Sequence, residues 1–300
     1  TDNMNESLSF MCDKASFAVA SIKDDTHSFI AYYDDTMLEA AIKYKTIVDE
    51  FDDAIKAGEF KMYLQPQISA KTRRLTGAEA LVRRIKPDGT IISPIDFIPV
   101  YEKSGLISRL DRYIWEQAAA KLGEWKKAGI NMSISVNISP KDFYYIDIFN
   151  TFAGLIKKYD IEPSNLKIEI TETTIMSDVP NLMGELEELR KAGFTLEMDD
   201  FGSGYSSLNT LKDINVDVLK VDMGFIKETK NVKKSRIILA SVIKMAKELN
   251  LLIITEGVET EEQVDNLTKL GCDVFQGYYF SKAIDVNEFE KRYLYRKKAG

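Results

Sequence analysis

Residues Phe194 to Ser207 read FTLEMDDFGSGYSS. Phe194, Leu196 and Met198 alternate with other positions in the period of a strand, and the run ends in two adjacent carboxylates, Asp199 and Asp200. Gly202, Ser203 and Gly204 then release the backbone into a loop. The segment predicts a buried strand with acids at its C-terminal end. Neighbouring aspartates leave a strand on opposite faces and repel each other. Burying both without counter-charge is costly or forces one to hold a proton. A bound cation is the simplest remedy, and a solvated turn rich in Asp and Gly is the plainer alternative.

The same strand-and-loop grammar recurs outward from this stretch. From Phe60 onward short apolar runs appear in the order KMYLQPQIS, GAEALVR, MSISVNIS, LKIEITE, FTLEMDD, VDVLKVD, LLIITEG and DVFQGYYF. Helical patterns lie between most of them, at Leu110 to Lys127, Phe143 to Tyr159, Leu182 to Ala192, Ser235 to Leu249 and Glu261 to Leu270. Strands alternating with helices over about 240 residues predict an α/β fold, a closed (β/α)8 TIM barrel, with an open doubly wound sheet as the alternative. Only Ala70 to Thr76 joins the first two strands, too little for a helical crossover, so this pair is expected to run antiparallel.

The N-terminal part has a different character. Residues 1–44 offer a helix-like segment SLSFMCDKASFAVASIK, a turn DDTHS, a short strand FIAYY and an acidic helix start DDTMLEA. That is too little for an independent core, and the absence of an initiating Met suggests a piece of something longer. This helix-strand appendage is expected to precede a main domain of residues 45–300, entered by an amphipathic helix from Lys45 to Ala57 that ends at Gly58.

Composition narrows the chemistry. The 300 residues carry a formal charge of −7 with both signs interspersed, which argues against capture of a DNA or RNA polymer. Cys12 and Cys272 are far apart, and no secretory signal or membrane-spanning run is present, so a cytoplasmic setting is expected. His27, the only histidine, lies in the appendage, which disfavours a His-ligated zinc or a Ser-His-Asp triad in the main body.

The polar residues that interrupt the apolar runs are Glu79, Asn137, Glu169 with Glu172, Asp199 and Asp200, Lys220 with Asp222, Glu256 with Glu259, and Gln276. In a parallel barrel such strand-end positions converge on one rim. Carboxylates and an amide without His or Cys favour Mg²⁺ or Mn²⁺, and the number of acids suffices for two ions. Two such ions suit in-line attack of water on a phosphodiester. Lys220 is then either a counter-ion or a donor that orients the water. Arg83 and Gln65 can reach an anionic substrate from the same rim. Tyr278, Tyr279 and Phe280 offer a stacking face or barrel packing, and Tyr205-Ser206-Ser207 a lid or hinge.

One family carries these residues in this order. Glu79-Ala80-Leu81-Val82-Arg83, in the company of YLQPQ (63–67), FIPVYE (97–102), SVNIS (135–139), EITE (169–172), DDFGSGYSSL (199–208), LKVD (219–222), TEGVET (255–260) and FQGYYFSKA (275–283), resembles the EAL-domain cyclic di-GMP phosphodiesterases over roughly Ile47 to Tyr293. The resemblance implies a modified TIM barrel with one antiparallel strand that hydrolyses cyclic di-GMP to linear pGpG with two Mg²⁺ or Mn²⁺ ions. It implies Glu79, Asn137, Glu169, Asp199, Asp200 and Glu256 as metal ligands, and Glu79, Asp199, Lys220 and Glu256 as the catalytic group. Glu256 is a ligand or a general base, and Lys220 positions or activates the water. Gln65, Leu81, Arg83, Asp200 and Gln276 would meet substrate, Glu172 would anchor the loop that begins at Asp200, and Glu259 would support the site. Homodimers are common in the family. The loop has Gly-Ser-Gly where Gly-Thr-Gly is usual.

The appendage resembles, more faintly, the closing helix and strand of a GGDEF domain, which implies upstream GGDEF or sensory segments and leaves room for a membrane anchor there. No GGDEF motif is present, so cyclase activity is not expected in this chain. Two other function classes stand beside the phosphodiesterase. One is a catalytically silent cyclic di-GMP receptor or scaffold, which should have lost some of Glu79, Asp199, Asp200 or Lys220. The other is a barrel lyase or isomerase with a lysine base, which should carry a capping domain.

Overall fold

In the computed structural model the described residues are 7–22, 30–177, 179, 181–202, 211–212, 214–222 and 232–295. His27 and the Tyr205-Ser206-Ser207 segment lie outside them. Among the described residues ten strands form one sheet: β1 (Phe60–Ser69), β2 (Leu75–Ile85), β3 (Ile91–Ile92), β4 (Ile134–Ile138), β5 (Leu166–Thr171), β6 (Leu196–Asp199), β7 (Val218–Asp222), β8 (Leu252–Glu256), β9 (Val274–Phe275) and β10 (Ile284–Asp285). The order β1-β2-β4-β5-β6-β7-β8-β9 closes on itself because β9 pairs back onto β1. The structure therefore takes the closed barrel and not the open sheet.

Every barrel contact from β2 to β9 is parallel, whereas β1 is antiparallel to both its neighbours. Pro66 within β1 is tolerated for a visible reason. On the edge away from β2, β10 pairs at Tyr63 and Leu64 and β9 at Ile68 and Ser69, and position 66 falls in the gap between them.

The barrel interior follows from the period of two along each strand. Val218, Ile254 and Val274 are buried together. Two residues later on the same faces come Lys220, Glu256 and Gln276. An apolar floor thus lies under a polar rim. Outside, the helix Ile107–Lys127 buries Leu110, Ile114, Trp115, Ala118, Leu122 and Trp125 at spacings of three and four. Trp115 packs on Phe152 of the helix Ile148–Tyr159 with ring centroids 4.8 Å apart.

Four expectations are corrected. The helix expected from Phe143 to Tyr159 is two, Asp142–Tyr145 and Ile148–Tyr159, because Asp147 caps the second by accepting the Asn150 N–H at 3.0 Å. The helix expected from Lys45 to Ala57 is divided at Glu50 into Asp35–Asp49 and Phe51–Lys56. The strand expected over FIAYY is absent at its described residues 30–33. Every strand among the described residues belongs to the barrel sheet, and a strand without a neighbouring edge leaves its backbone groups unpaired. The last barrel strand ends at Phe275 instead of running to Phe280. There the chain turns so tightly against Val258 that a Cβ on Gly277 would lie 2.2 Å from the Val258 carbonyl oxygen. The hairpin strand β3 was not foreseen.

Helices Leu8–Ser21 and Asp35–Asp49 pack against each other, and the second runs unbroken through residues 44 and 45. Arg84, 3% exposed, ties its end to the barrel through Glu50 at 2.6 Å and Glu59 at 2.9 Å. Among the described residues no helix is long and apolar enough to cross a membrane.

Candidate active site

Lys220 leaves β7 into the barrel and is 1% exposed. Its ammonium meets carboxylates from four other strands: Glu169 Oε2 at 2.6 Å, Glu256 Oε1 at 2.7 Å, Asp199 Oδ2 at 3.3 Å and Glu79 Oε2 at 3.5 Å. Burial opposes the charge on Lys220, but Glu169, Glu256, Glu79 and Asp199 outweigh it and hold the ammonium well above the ordinary lysine range. One lysine cannot neutralise four acids, and the excess shows in Glu169 and Glu256. Burial, reinforced by Glu79, pushes Glu169 well above the usual carboxylate range. Burial pushes Glu256 up to about 8 against the pull of Lys220. Asp200, at the exposed rim, is raised by partial burial of its carboxyl and by Asp199.

Amides complete the ring. Asn137 donates to Glu79 Oε1 at 3.3 Å, and Gln276 donates to Glu79 Oε2 and to Gln65 Oε1. Gln65 in turn donates to the Ser281 carbonyl at 3.3 Å. The acidic loop is held at both ends of its described part. Asp200, in the left-handed region with φ 55°, donates its N–H to Asp199 Oδ1 at 2.8 Å, and Glu172 Oε2 accepts the Gly202 N–H at 3.2 Å.

Two cavities open beside the ring and share Glu79 and Leu81. One, of about 650 Å³, runs past Arg83, Asn137 and Thr171 to Asp111 and Lys141. The other, of about 440 Å³, is bounded by Gln65, Asp222, Glu256, Glu259, Gln276 and Tyr278. Arg83 donates to its own neighbour, the Val82 carbonyl, at 2.7 Å, and lines the larger cavity. Glu259 stands outside the ion-paired ring, at the wall of the smaller cavity, where Gln263 accepts its N–H at 2.7 Å. Tyr278 and Tyr279 are exposed, and Phe280 stacks on Phe275 as packing.

The ring suits hard divalent cations. Its donors are oxygens, and Glu169 Oε1 is buried without a hydrogen-bond partner among the described residues, a lone-pair site that a cation satisfies. Among the described residues no three acidic, His or Cys side chains stand ready-made around a metal position. The carboxylates are instead drawn onto Lys220.

Some polar residues around the ring were not singled out in the sequence. Gln67, on the same face of β1 as Gln65, donates to Gln276 Oε1 at 3.2 Å, and the period of two could have found it. Asp142, fully buried, accepts the Ser139 N–H at 2.8 Å and is hydrogen-bonded to Asp111. Burial raises Asp142 to about 6 and holds Asp111 well above the usual carboxylate range. Lys167 and Glu197 pair at 2.9 Å inside the barrel. Nothing local in the sequence marks the last two pairs, because each joins different elements.

The chain has known relatives. Residues 48–283 match the family model of the EAL domain, and the chain belongs to that family. It is 36% identical over 239 residues to the signaling protein YkoW of Bacillus subtilis, covering 80% of this chain and 30% of that protein. It is 36% identical over 252 residues to PdeG of Escherichia coli, named a probable cyclic di-GMP phosphodiesterase, covering 82% of this chain and 48% of that protein. The chain thus spans less than half the length of these curated relatives. Among solved structures, the PaMucR phosphodiesterase in complex with c-di-GMP superposes with a TM-score of 0.76 at 32% identity, covering 81% of this chain and 99% of that one.

Proposed function

We propose that this chain hydrolyses cyclic di-GMP to linear pGpG with two divalent cations, Mg²⁺ or Mn²⁺. The observation that carries the reading is the convergence of Glu79, Glu169, Asp199 and Glu256, from four strands, on buried Lys220 beside two cavities that share one wall. Glu79, Asn137, Glu169, Asp199, Asp200 and Glu256 would hold the cations, which when bound supply Lewis-acid activation of water and neutralise the charge developing on the phosphate.

The protein's own groups then have separable tasks. Lys220, held as an ammonium by the four carboxylates, donates a hydrogen bond and thereby aims the water's lone pair at phosphorus. The water oxygen bonds to phosphorus as the bond to the ribose 3′ oxygen breaks, the water's proton passes to a ring carboxylate or to solvent, and the 3′ oxygen takes a proton from solvent and leaves as a hydroxyl. Glu256 has two roles open to it, ligand or acceptor of the water's proton. Gln65, Leu81, Arg83, Asp200 and Gln276 hold the dinucleotide across the two cavities. Glu172 fixes the start of the loop that carries Asp200, and Glu259 supports the smaller cavity's wall. The same reading takes the chain as a cytoplasmic homodimer in which residues 1–44 are a linker from an upstream GGDEF domain and residues 45–300 the phosphodiesterase barrel. In it, upstream sensory segments and any membrane anchor belong to the full-length protein.

The test is incubation with cyclic di-GMP and Mg²⁺, Mn²⁺ or a chelator, with chromatographic separation of products. Metal-dependent pGpG is the expected result. Tight binding with no product under any metal would replace this reading by the silent receptor.

A further inference from the structure

Lys167 and Glu197 form a buried pair that the chemistry above leaves unused. Lys167 Nζ lies 2.9 Å from Glu197 Oε1; the glutamate is wholly buried, and the lysine side chain is 18% exposed. Glu197 is the register partner of Glu169 in the parallel ladder between β5 and β6, so their side chains leave adjacent strands on the same face. Asp199, two residues along β6, shares that face. Glu169 Oε1 and Glu197 Oε2 are both buried, and neither has a hydrogen-bond partner among the described residues. Two bare carboxylate oxygens on register partners are an unusual neighbourhood for each other, because buried acids normally acquire a donor or a cation.

Water reaches part of Lys167 but none of Glu197, so the lysine's charge is the better screened of the two. Glu197 therefore places an incompletely compensated negative charge beside Glu169. We propose that Glu197 is a positioning residue of the cation centre, whose charge draws a divalent cation onto Glu169 without ligating it. This rests on the two-cation reading above.

The experiment is calorimetric titration of the purified chain with Mn²⁺ alone, with thermal melting in chelator as the check on folding. Glu197→Gln should bind Mn²⁺ about tenfold more weakly, the size usual for groups that support a metal ligand. The swap Lys167→Glu/Glu197→Lys keeps the pair but reverses its field, and it should bind more weakly still. The swap also decides the matter if Glu197→Gln alone does not fold. A folded variant of either kind with wild-type Mn²⁺ affinity would overturn the inference and leave the two-cation reading standing. A wild-type chain that takes up no Mn²⁺ would overturn both.

Discussion

The ammonium of Lys220 and Oε2 of Glu169 meet at 2.6 Å, with neither side chain more than 1% exposed. This contact makes the acid ring possible, since without it adjacent strands would present like charges to one another inside a closed barrel. Lys220→Ala leaves four carboxylates without their cation, and removing one side of a buried pair costs about 3–5 kcal/mol. Urea denaturation in chelator should show that loss. With Mg²⁺ or Mn²⁺ present, turnover should fall far more than cyclic di-GMP affinity. An unchanged rate would reduce Lys220 to a counter-ion.

Glu79 is gripped by Asn137, Gln276 and Lys220 together. Glu79→Ala removes a carboxylate that the proposed cations share and frees all three partners. Hydrolysis should drop at least about a hundredfold, the upper end of what loss of metal-site support produces. Turnover within a few-fold of wild type would exclude Glu79 as a ligand.

Gly277 tests the turn that ends the last barrel strand. A Cβ there would stand 2.2 Å from the Val258 carbonyl oxygen and 2.3 Å from the Val258 nitrogen, both backbone atoms that cannot rotate away. Gly277→Ala should destabilise by about 1–3 kcal/mol and displace the adjacent Gln276. Denaturation and cyclic di-GMP binding measured on the same samples should both weaken. A wild-type melting profile would show that the turn relaxes at no cost.

The Asp142 carboxyl, hydrogen-bonded to Asp111, provides a pH test away from the acid ring. Burial raises Asp142 to about 6. A raised acid binds its proton more tightly folded than unfolded, so its contribution is complete below the unfolded value near 4 and is lost as pH rises through about 6. Asp142→Asn can still accept from Ser139 and can donate to Asp111, but it has no proton to lose. Relative to wild type it should gain on the order of 3 kcal/mol between about pH 4 and pH 7, read from urea curves at the two values. A constant difference across that range would mean that Asp142 titrates normally.

The strands of the barrel and the rim acids were legible in the sequence because both are local signals. Alternation along Phe194 to Met198, and a polar residue where each apolar run stops, depend only on a period of two and on strand length. The short link from Ala70 to Thr76 likewise announced the antiparallel start, since seven residues cannot carry a crossover. Tertiary structure alone decided which groups meet. No local signal shows that four other strands bring their carboxylates to within 3.5 Å of Lys220. Gln67 on Gln276, Asp142 on Asp111 and Glu197 beside Glu169 are contacts between residues distant in the chain. The last strand ended early because Val258, nineteen residues before Gly277, lies against it. Periodicity states which face a side chain occupies, but the partner across that face is set by barrel closure, and with it the charge balance on which the site's chemistry depends.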